Sequence, residues 1–393
     1  MAGAQFLLTI IMLHRMAPAD FGTFSFLLLA IQFSFGISNA LFCAPLAALL
    51  ASKGTTLYDK KIQSLFAVSL IFAVAMCLFF GMLGYLLGLK TFSVLLFAIY
   101  AAAALVRWFA RAYSYAVEAP LRTISSDIVC SVVLLVGIAQ LTVSTQPPAE
   151  NAYLCLLISA VLGLLPFGWQ QLRRQFGSTS LSTLANYREV WLRHSSWSLL
   201  GVITTEATAN AHAYIIMLFS GSATFAGLAA SGLVIRPTVV LTNALSEFER
   251  PRMARLIAQK QWGHVVKLAS AFRLFLVMGW IISVLLAIVI FYVSPQLLIP
   301  KEYEPAFIKI GAALWLAVAA IRVVRSPEST MLQAAGMFRW LAYASMISSV
   351  FSIVAVIVFL LVGNPLWSIA GVICGEVVMT AYIWLQTSRW QKS

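Results

Sequence analysis

The sequence predicts an all-α polytopic membrane protein with about twelve transmembrane helices arranged in two six-helix bundles. Of its 393 residues, 61% are hydrophobic and only 10% are charged, whereas roughly 25% of the residues of an ordinary soluble domain are charged. The mean hydropathy is +0.92. A soluble fold of this size needs far more surface charge. These observations exclude a soluble enzyme, a disordered chain and a fibrous protein.

The apolar residues fall into long runs separated by short polar stretches, as in a chain that crosses a bilayer repeatedly. The runs are too long and too continuously apolar for barrel strands. The first run is about 18 Å long as a helix, shorter than a hydrocarbon core of roughly 30 Å. The predicted spans are 2–14, 21–50, 62–88, 92–117, 124–144, 152–171, 195–219, 223–248, 265–294, 306–335, 339–362 and 366–387.

Basic residues are concentrated in alternate loops. The net charge is +13, and 13 of the 26 Lys and Arg lie in the second-to-third, sixth-to-seventh and eighth-to-ninth loops and in the C-terminal tail. The positive-inside rule then predicts that both termini are cytoplasmic. Loop bias accounts for the excess of basic residues, and we expect no nucleic-acid partner.

Two halves are predicted from the position of the longest polar stretch. Six spans precede it and six follow, so we predict bundles at 1–172 and 195–393 joined by a cytoplasmic segment, 173–194. Weak internal matches support a parallel repeat, and Gly22 and Gly227 occupy equivalent places in it. Parallel six-plus-six halves are typical of transporters whose substrate path lies where the halves meet. The linking segment also predicts an interfacial helix, from the helical spacing of Leu181, Leu184, Tyr187, Val190 and Trp191.

Five arginines deep inside predicted spans can form a basic cavity, since an ionisable side chain there is costly and marks a functional candidate. Guanidinium groups bind phosphate through paired hydrogen bonds, so these residues predict a basic cavity that binds a pyrophosphate. The alternative is that they are anchors near cytoplasmic helix ends, with side chains that reach the membrane surface. The candidates are Arg107, Arg111, Arg236, Arg322 and Arg325.

The buried acids divide into several predictions. Glu206 lies with Asn210 and His212 in the seventh span, where Glu206 and His212 are candidates for ion coupling, and a structural ion pair is the alternative. We expect Glu328 to compensate Arg322 and Arg325. Two further acids give only weak evidence of function. Asp127 stands near a helix start, where a carboxylate is favoured for structural reasons, and Glu376 is predicted to be isolated in the twelfth span.

Enzymatic chemistry has no support in the sequence. It contains no HExxH, GxSxG or Walker A motif, and its five cysteines are scattered without a CxxC pair. We therefore expect no catalytic residue, no metal and no cofactor.

Two segments resemble a known family. His14–Gly22 resembles the "R-x-L-x-P-x-D/E-F/Y-G" turn that opens polysaccharide-biosynthesis membrane proteins, and Met331–Arg339 resembles their "L-x-A-x-G-x-x-R" segment. The sequence is thus similar to the O-antigen and exopolysaccharide flippases of the multidrug/oligosaccharidyl-lipid/polysaccharide (MOP) exporter superfamily. Relatives begin with a basic segment and a complete first helix, a pattern from which Met1–Leu13 departs.

The resemblance implies two six-helix bundles around a central V-shaped cavity in the bacterial cytoplasmic membrane. It also implies a flippase that moves undecaprenyl-pyrophosphate-linked oligosaccharide units across the bilayer by alternating access. Polysaccharide polymerase and chain-length or export proteins are the implied partners. Three alternatives stay open: a cation-coupled multidrug exporter of the same superfamily, a non-transporting scaffold of a polysaccharide assembly complex, and a polymerase or ligase acting on the same lipid.

Overall fold

The computed structural model describes residues 1–51, 56–143, 147–177 and 184–392, and all regular secondary structure within these ranges is helical. Ten helical segments of this described part are long and apolar enough to cross a membrane. Two further helices stand where the first and seventh spans are predicted. One has only 14 residues, and the other has 24 but is more polar. The predicted all-α, twelve-helix membrane fold is confirmed.

The described residues of the first half of the chain form nine helices. They are α1 (Ala2–Arg15), α2 (Pro18–Ser38), α3 (Ala44–Ala51), α4 (Thr56–Leu86), α5 (Thr91–Ala116), α6 (Pro120–Val143), α7 (Pro148–Leu162), α8 (Trp169–Gly177) and α9 (Tyr187–Val190). The second half continues with α10 (Ser196–Phe219), α11 (Gly221–Ser231), α12 (Arg236–Ala258), α13 (Trp262–Val293), α14 (Pro305–Ala334), α15 (Phe338–Val362) and α16 (Ser368–Lys392). A π-helical turn (Asn39–Cys43) joins α2 to α3, and a 3-10 turn (Gly232–Ile235) joins α11 to α12.

Local sequence explains where several helices begin and end. Proline opens α7 and α14, where a missing N–H leaves no hydrogen bond unmade. Left-handed glycines at 88 and 336 follow the ends of α4 and α14. Glu118 has the same left-handed conformation after α5, at φ 59°, without the freedom that glycine provides.

The chain forms two compact units that divide helix α2 between them. Unit 1 contains Met1–Met16 and Leu27–Val202, and unit 2 contains Ala17–Phe26 and Ile203–Ser393. Unit 1 has an aromatic core around Phe42, Phe66 and Phe109. The three-part division predicted from the sequence, with its boundaries at 172 and 195, stays a prediction.

Unit 2 is held together by a seam of small polar side chains. Ser348 Oγ lies within hydrogen-bond distance of the Gly375 carbonyl (2.9 Å) and of Thr208 Oγ1 (3.1 Å), and Ser352 donates to the Thr208 carbonyl (2.9 Å). These contacts join α10, α15 and α16. Hydrophobic burial does not drive helix association inside a bilayer, so close packing and interhelical hydrogen bonds of this kind supply the adhesion.

The segment between the sixth and seventh spans packs against unit 1. Val190 belongs to the aromatic core, while Tyr187 and Ser195 both donate to the Leu41 carbonyl, at 2.9 and 2.8 Å. Burial raises the pKa of the Tyr187 phenol, which keeps its proton as a donor. The structure has a helix at Tyr187–Val190, its place at the membrane interface stays a prediction, and residues 181–183 lie outside the described residues.

Candidate functional site: two buried arginine clusters

A carboxylate bridges two arginines inside unit 1. Arg107 and Arg111 lie one turn apart on α5, and Asp127 lies opposite them on α6. Arg107 pairs with one Asp127 oxygen, and Arg111 Nη2 lies 2.9 Å from the other. The Arg107 side chain is only 4% exposed, and its Nε donates to Ser126 Oγ at 2.8 Å. Asp127 is therefore an ion-pair partner, whereas the sequence indicated only a residue favoured at a helix start.

An aromatic stack also positions Arg111. Its guanidinium lies 5.3 Å from the centre of the Trp108 ring, a distance at which a cation is attracted to a π face. Trp108 in turn stacks on Phe35, with ring centroids 4.8 Å apart. The ion pair and the ring together fix the Arg111 guanidinium.

Unit 2 contains a cluster of the same composition. Arg322 Nε donates to Glu376 Oε1 at 2.7 Å, and Arg325 Nη1 lies 2.9 Å from Glu376 Oε2. Glu376 is buried, with a side chain 2% exposed. The prediction that Glu376 is isolated is wrong, because α16 carries it to the face of α14 that bears both arginines.

The single acid on α14, Glu328, has a different partner from the one predicted. Glu328 pairs with Arg273 of α13, not with Arg322 or Arg325. Arg273 also lies 5.8 Å from the centre of the Trp384 ring. Glu328 follows Arg322 by six residues, which places it about 120° away around the axis of α14. The two charges on this helix therefore meet different neighbours.

Arg236 differs from the clustered arginines. It begins α12 directly after the 3-10 turn, is followed by Pro237, and is exposed. It has no ion pair in the described part of the chain. Pro237 occupies the first turn, where a missing N–H is tolerated, so the helix break precedes the proline.

The residues predicted for ion coupling lie in unit 2, on α10. Glu206 accepts hydrogen bonds from Tyr214, at 2.8 Å, and from Asn210. His212 is buried beside Trp315, with ring centroids 5.2 Å apart, and its Nδ1 has no hydrogen-bond partner among the described residues. The charge of Arg322 acts on both residues.

Metal binding has no visible site in these helices. Among the described residues, no three His, Cys, Asp or Glu side chains are placed to hold a metal ion.

The five arginines instead offer hydrogen-bond donors. Arg111 Nε and Arg322 Nη2 are buried and make no hydrogen bond within the described part of the chain. Such donors suit the oxygens of a phosphate.

Sequence comparison finds no matching family profile and no matching curated protein. Solved structures match in fold. A multidrug resistance MATE family transporter of the MOP superfamily, in its inward-facing conformation, is 15% identical with a TM-score of 0.66, covering 100% of this chain and 96% of its own. The lipid II flippase MurJ is 11% identical with a TM-score of 0.68, covering 98% and 85%. A variant of the Vibrio cholerae MATE transporter VcmN is 14% identical with a TM-score of 0.65, covering 100% and 93%.

The chain has the MATE and MurJ fold. This confirms the predicted fold class and supports the resemblance at the level of the superfamily fold. The neighbours are transporters and a flippase, and the absence of enzymatic activity in this chain stays a prediction. At these identities the likeness shows the fold alone, so the polysaccharide flippase family stays a prediction.

Proposed function

We propose that the protein is a flippase that moves undecaprenyl-pyrophosphate-linked oligosaccharide units across the bacterial cytoplasmic membrane for O-antigen or exopolysaccharide synthesis. The observation that carries this proposal is the excess of guanidinium over carboxylate inside the helices. In unit 1, Arg107 and Arg111 share the single carboxylate of Asp127. One positive charge is left over.

Unit 2 has the same surplus. Arg322 and Arg325 share Glu376, and Glu206 lies close enough to Arg322 to act on it. Arg236 supplies a third guanidinium with no ion pair in the described part of the chain. Three cations therefore accompany two acids, which again leaves one positive charge. A surplus of this sign attracts an anionic substrate and repels the cationic compounds that a drug exporter moves.

The chemistry of the substrate matches such a site. A pyrophosphate and its sugars lose their hydration if they enter hydrocarbon unaided, which makes unassisted crossing prohibitive. Arginines replace the lost water with charge-assisted hydrogen bonds, and the isoprenoid tail can stay in lipid. Asp127 and Glu376 hold part of each guanidinium, so they weaken phosphate binding enough to permit release. Alternating exposure of an arginine-lined path completes the transport cycle.

We further propose that Glu206 and His212 take part in ion coupling. The sequence has no Walker A motif, so an ion gradient, the membrane potential or removal of the product on the far side is the proposed energy source. Both termini are proposed to be cytoplasmic. A polymerase and chain-length or export proteins are the proposed partners.

The test is translocation of a fluorescent undecaprenyl-pyrophosphate oligosaccharide in proteoliposomes. Arg322→Ala is expected to slow translocation at least about tenfold, because a hydrogen bond to a charged group contributes about 1.5–3 kcal/mol. Arg339→Ala is the matched control, since it removes the same charge from an exposed position outside the cluster. It is expected to stay within about twofold of the wild type.

Three results contradict the proposal. Equal slowing by the two variants would show that the cluster has no special role. Transport of a cationic drug without transport of the lipid would identify a multidrug exporter. A well-folded wild type that moves neither substrate, with its assembly partners supplied, would identify a scaffold.

A further inference from the structure

Helix α8 presents two very different faces. Its inner face carries Gln171 and Gln175, which are 5% and 0% exposed. Its outer face carries Trp169 and Phe176, 77% and 49% exposed, with the exposed Arg173 between them. Glutamine inside and tryptophan outside reverses the usual arrangement of a surface helix in a soluble protein.

The inner face fixes the orientation of α8. Gln171 Nε2 donates to the Ala110 carbonyl at 3.0 Å, and Gln175 Nε2 donates to the Val106 carbonyl at 3.1 Å. Donors and acceptors are each four residues apart, so the two bonds form parallel rungs between α8 and α5. Buried amide hydrogen bonds of this kind are costly to break. The outer face is therefore held in one direction.

The outer residues form a single stripe. Trp169, Arg173 and Phe176 follow at i, i+4 and i+7, which places them within an arc of about 60° at 100° per residue. The segment Pro148–Phe167 is long and apolar enough to cross the membrane. Gly168, at φ 82°, turns the chain directly after it, so the stripe starts where this segment ends. Tryptophan is enriched at the boundary between hydrocarbon and headgroups, and arginine side chains extend from there to phosphates.

A second cation contacts helix α8 through Gln171 of its inner face. Arg122 is exposed, and its Nη1 donates to Gln171 Oε1 at 3.3 Å. Neither Arg122 nor Arg173 has a carboxylate partner in the described ranges. Two unneutralised guanidinium groups, one on α8 and one in contact with it, and the two exposed aromatic rings of α8 complement an anionic lipid surface.

We propose that α8 is a lipid-recognition platform. Its Trp169–Arg173–Phe176 stripe, together with Arg122, binds anionic phospholipid headgroups of the leaflet in which the Pro148–Phe167 segment ends. The aromatic rings enter the acyl boundary and the two arginines contact phosphates. By the predicted topology this is the cytoplasmic leaflet. The proposal is independent of the substrate that the protein transports.

The depth of the stripe in the bilayer is measured with a fluorophore attached to single cysteines, in a variant whose five native cysteines have been replaced. Phe176→Cys reports on the stripe, and Gln170→Cys, an exposed position on the adjoining face, is the matched control. In nanodiscs containing phosphatidylglycerol, nitroxide lipids are expected to quench the label at 176, and aqueous iodide is expected to quench the label at 170.

Headgroup recognition is measured by native mass spectrometry of phosphatidylglycerol retained by the whole protein. Arg173→Gln and Arg122→Gln are each expected to reduce retention about fivefold, the factor for one basic residue near an anionic surface. Lys90→Gln, which removes a positive charge from a distant exposed position, is expected to leave retention unchanged.

Several outcomes overturn the proposal. Iodide quenching of the label at 176 as strong as at 170 would place the stripe in water. Shielding of that label from both quenchers would show that protein covers it. Retention that is unchanged in both arginine variants, or equally high for neutral phosphatidylcholine, would exclude recognition of anionic headgroups.

Discussion

Glu376→Gln tests the unit 2 cluster most sharply, because the change keeps the shape of the side chain and removes only its charge. Glu376 is 2% exposed, and its two oxygens lie 2.7 and 2.9 Å from two guanidinium groups. The substitution leaves Arg322 and Arg325 as neighbouring like charges on one helix. The new amide donor of glutamine also faces guanidinium donors that it cannot satisfy.

The expected magnitude follows from burial. Removing one partner of a buried ion pair costs about 3–5 kcal/mol. The Arg322 and Arg325 side chains are 25% and 13% exposed, so water reaches them in part and the lower end, about 3 kcal/mol, applies. At roughly 2 °C per kcal/mol for a unit of this size, the melting temperature falls by about 6 °C.

The assay is thermal unfolding in detergent, followed by circular dichroism of the helices. A double-mutant cycle with Arg322→Met isolates the coupling between Glu376 and Arg322, because removing both partners leaves less unpaired buried charge than removing Glu376 alone. The double variant is expected to be less destabilised than the sum of the single variants by about 1–3 kcal/mol. A melting temperature within about 1 °C of the wild type, or additive effects in the cycle, would refute the buried cluster.

Three further variants test other parts of the structure by the same thermal assay. Asp127→Asn is expected to destabilise by about 2 kcal/mol, less than Glu376→Gln because Asp127 is 29% exposed; a larger loss than at Glu376 contradicts this ranking. In Gly371→Ala the new methyl group meets the Val356 backbone nitrogen at 2.5 Å, and a loss of about 1–3 kcal/mol is expected. Gly201→Ala is its control, since no atom lies within 4 Å of the new group, and a gain of about 0.5–1 kcal/mol is expected. Glu118→Gly is expected to stabilise by about 1 kcal/mol, because φ is 59° there, and a loss argues against the left-handed conformation.

The helices were predictable from the sequence because the bilayer imposes one rule on every span. Each span needs about 20 mostly apolar residues, so hydropathy located all twelve spans, and most predicted ends lie close to the observed ones. The exceptions are the sixth span, whose helix ends at Leu162 and not at 171, and the eighth, whose helix continues to Ala258 and not only to 248. Depth within a span follows from counting residues. An arginine deep in a span avoids the lipid, so the burial of Arg107 and Arg325 inside the protein was predictable, and both side chains are less than 15% exposed.

The partners of the arginines were not predictable in the same way. Glu376 follows Arg322 by 54 residues, and Glu328 follows Arg273 by 55. Such contacts depend on which helices are neighbours and on how each is rotated, and hydropathy fixes neither. Glu328 illustrates the error, because spacing along α14 suggested Arg322 and Arg325, but the packing of α13 supplied Arg273. The signal available in the sequence was the lone acid in an apolar span, which needs a partner.

The central claim is that the arginines recognise the anionic pyrophosphate of a lipid carrier. The most direct measurement compares, in proteoliposomes of the wild type, translocation of one fluorescent oligosaccharide carried by undecaprenyl pyrophosphate or by uncharged undecaprenol. The account predicts rapid translocation of the pyrophosphate-linked form and background movement of the uncharged form. Equal translocation of the two, or of neither while a cationic drug is exported, would contradict it.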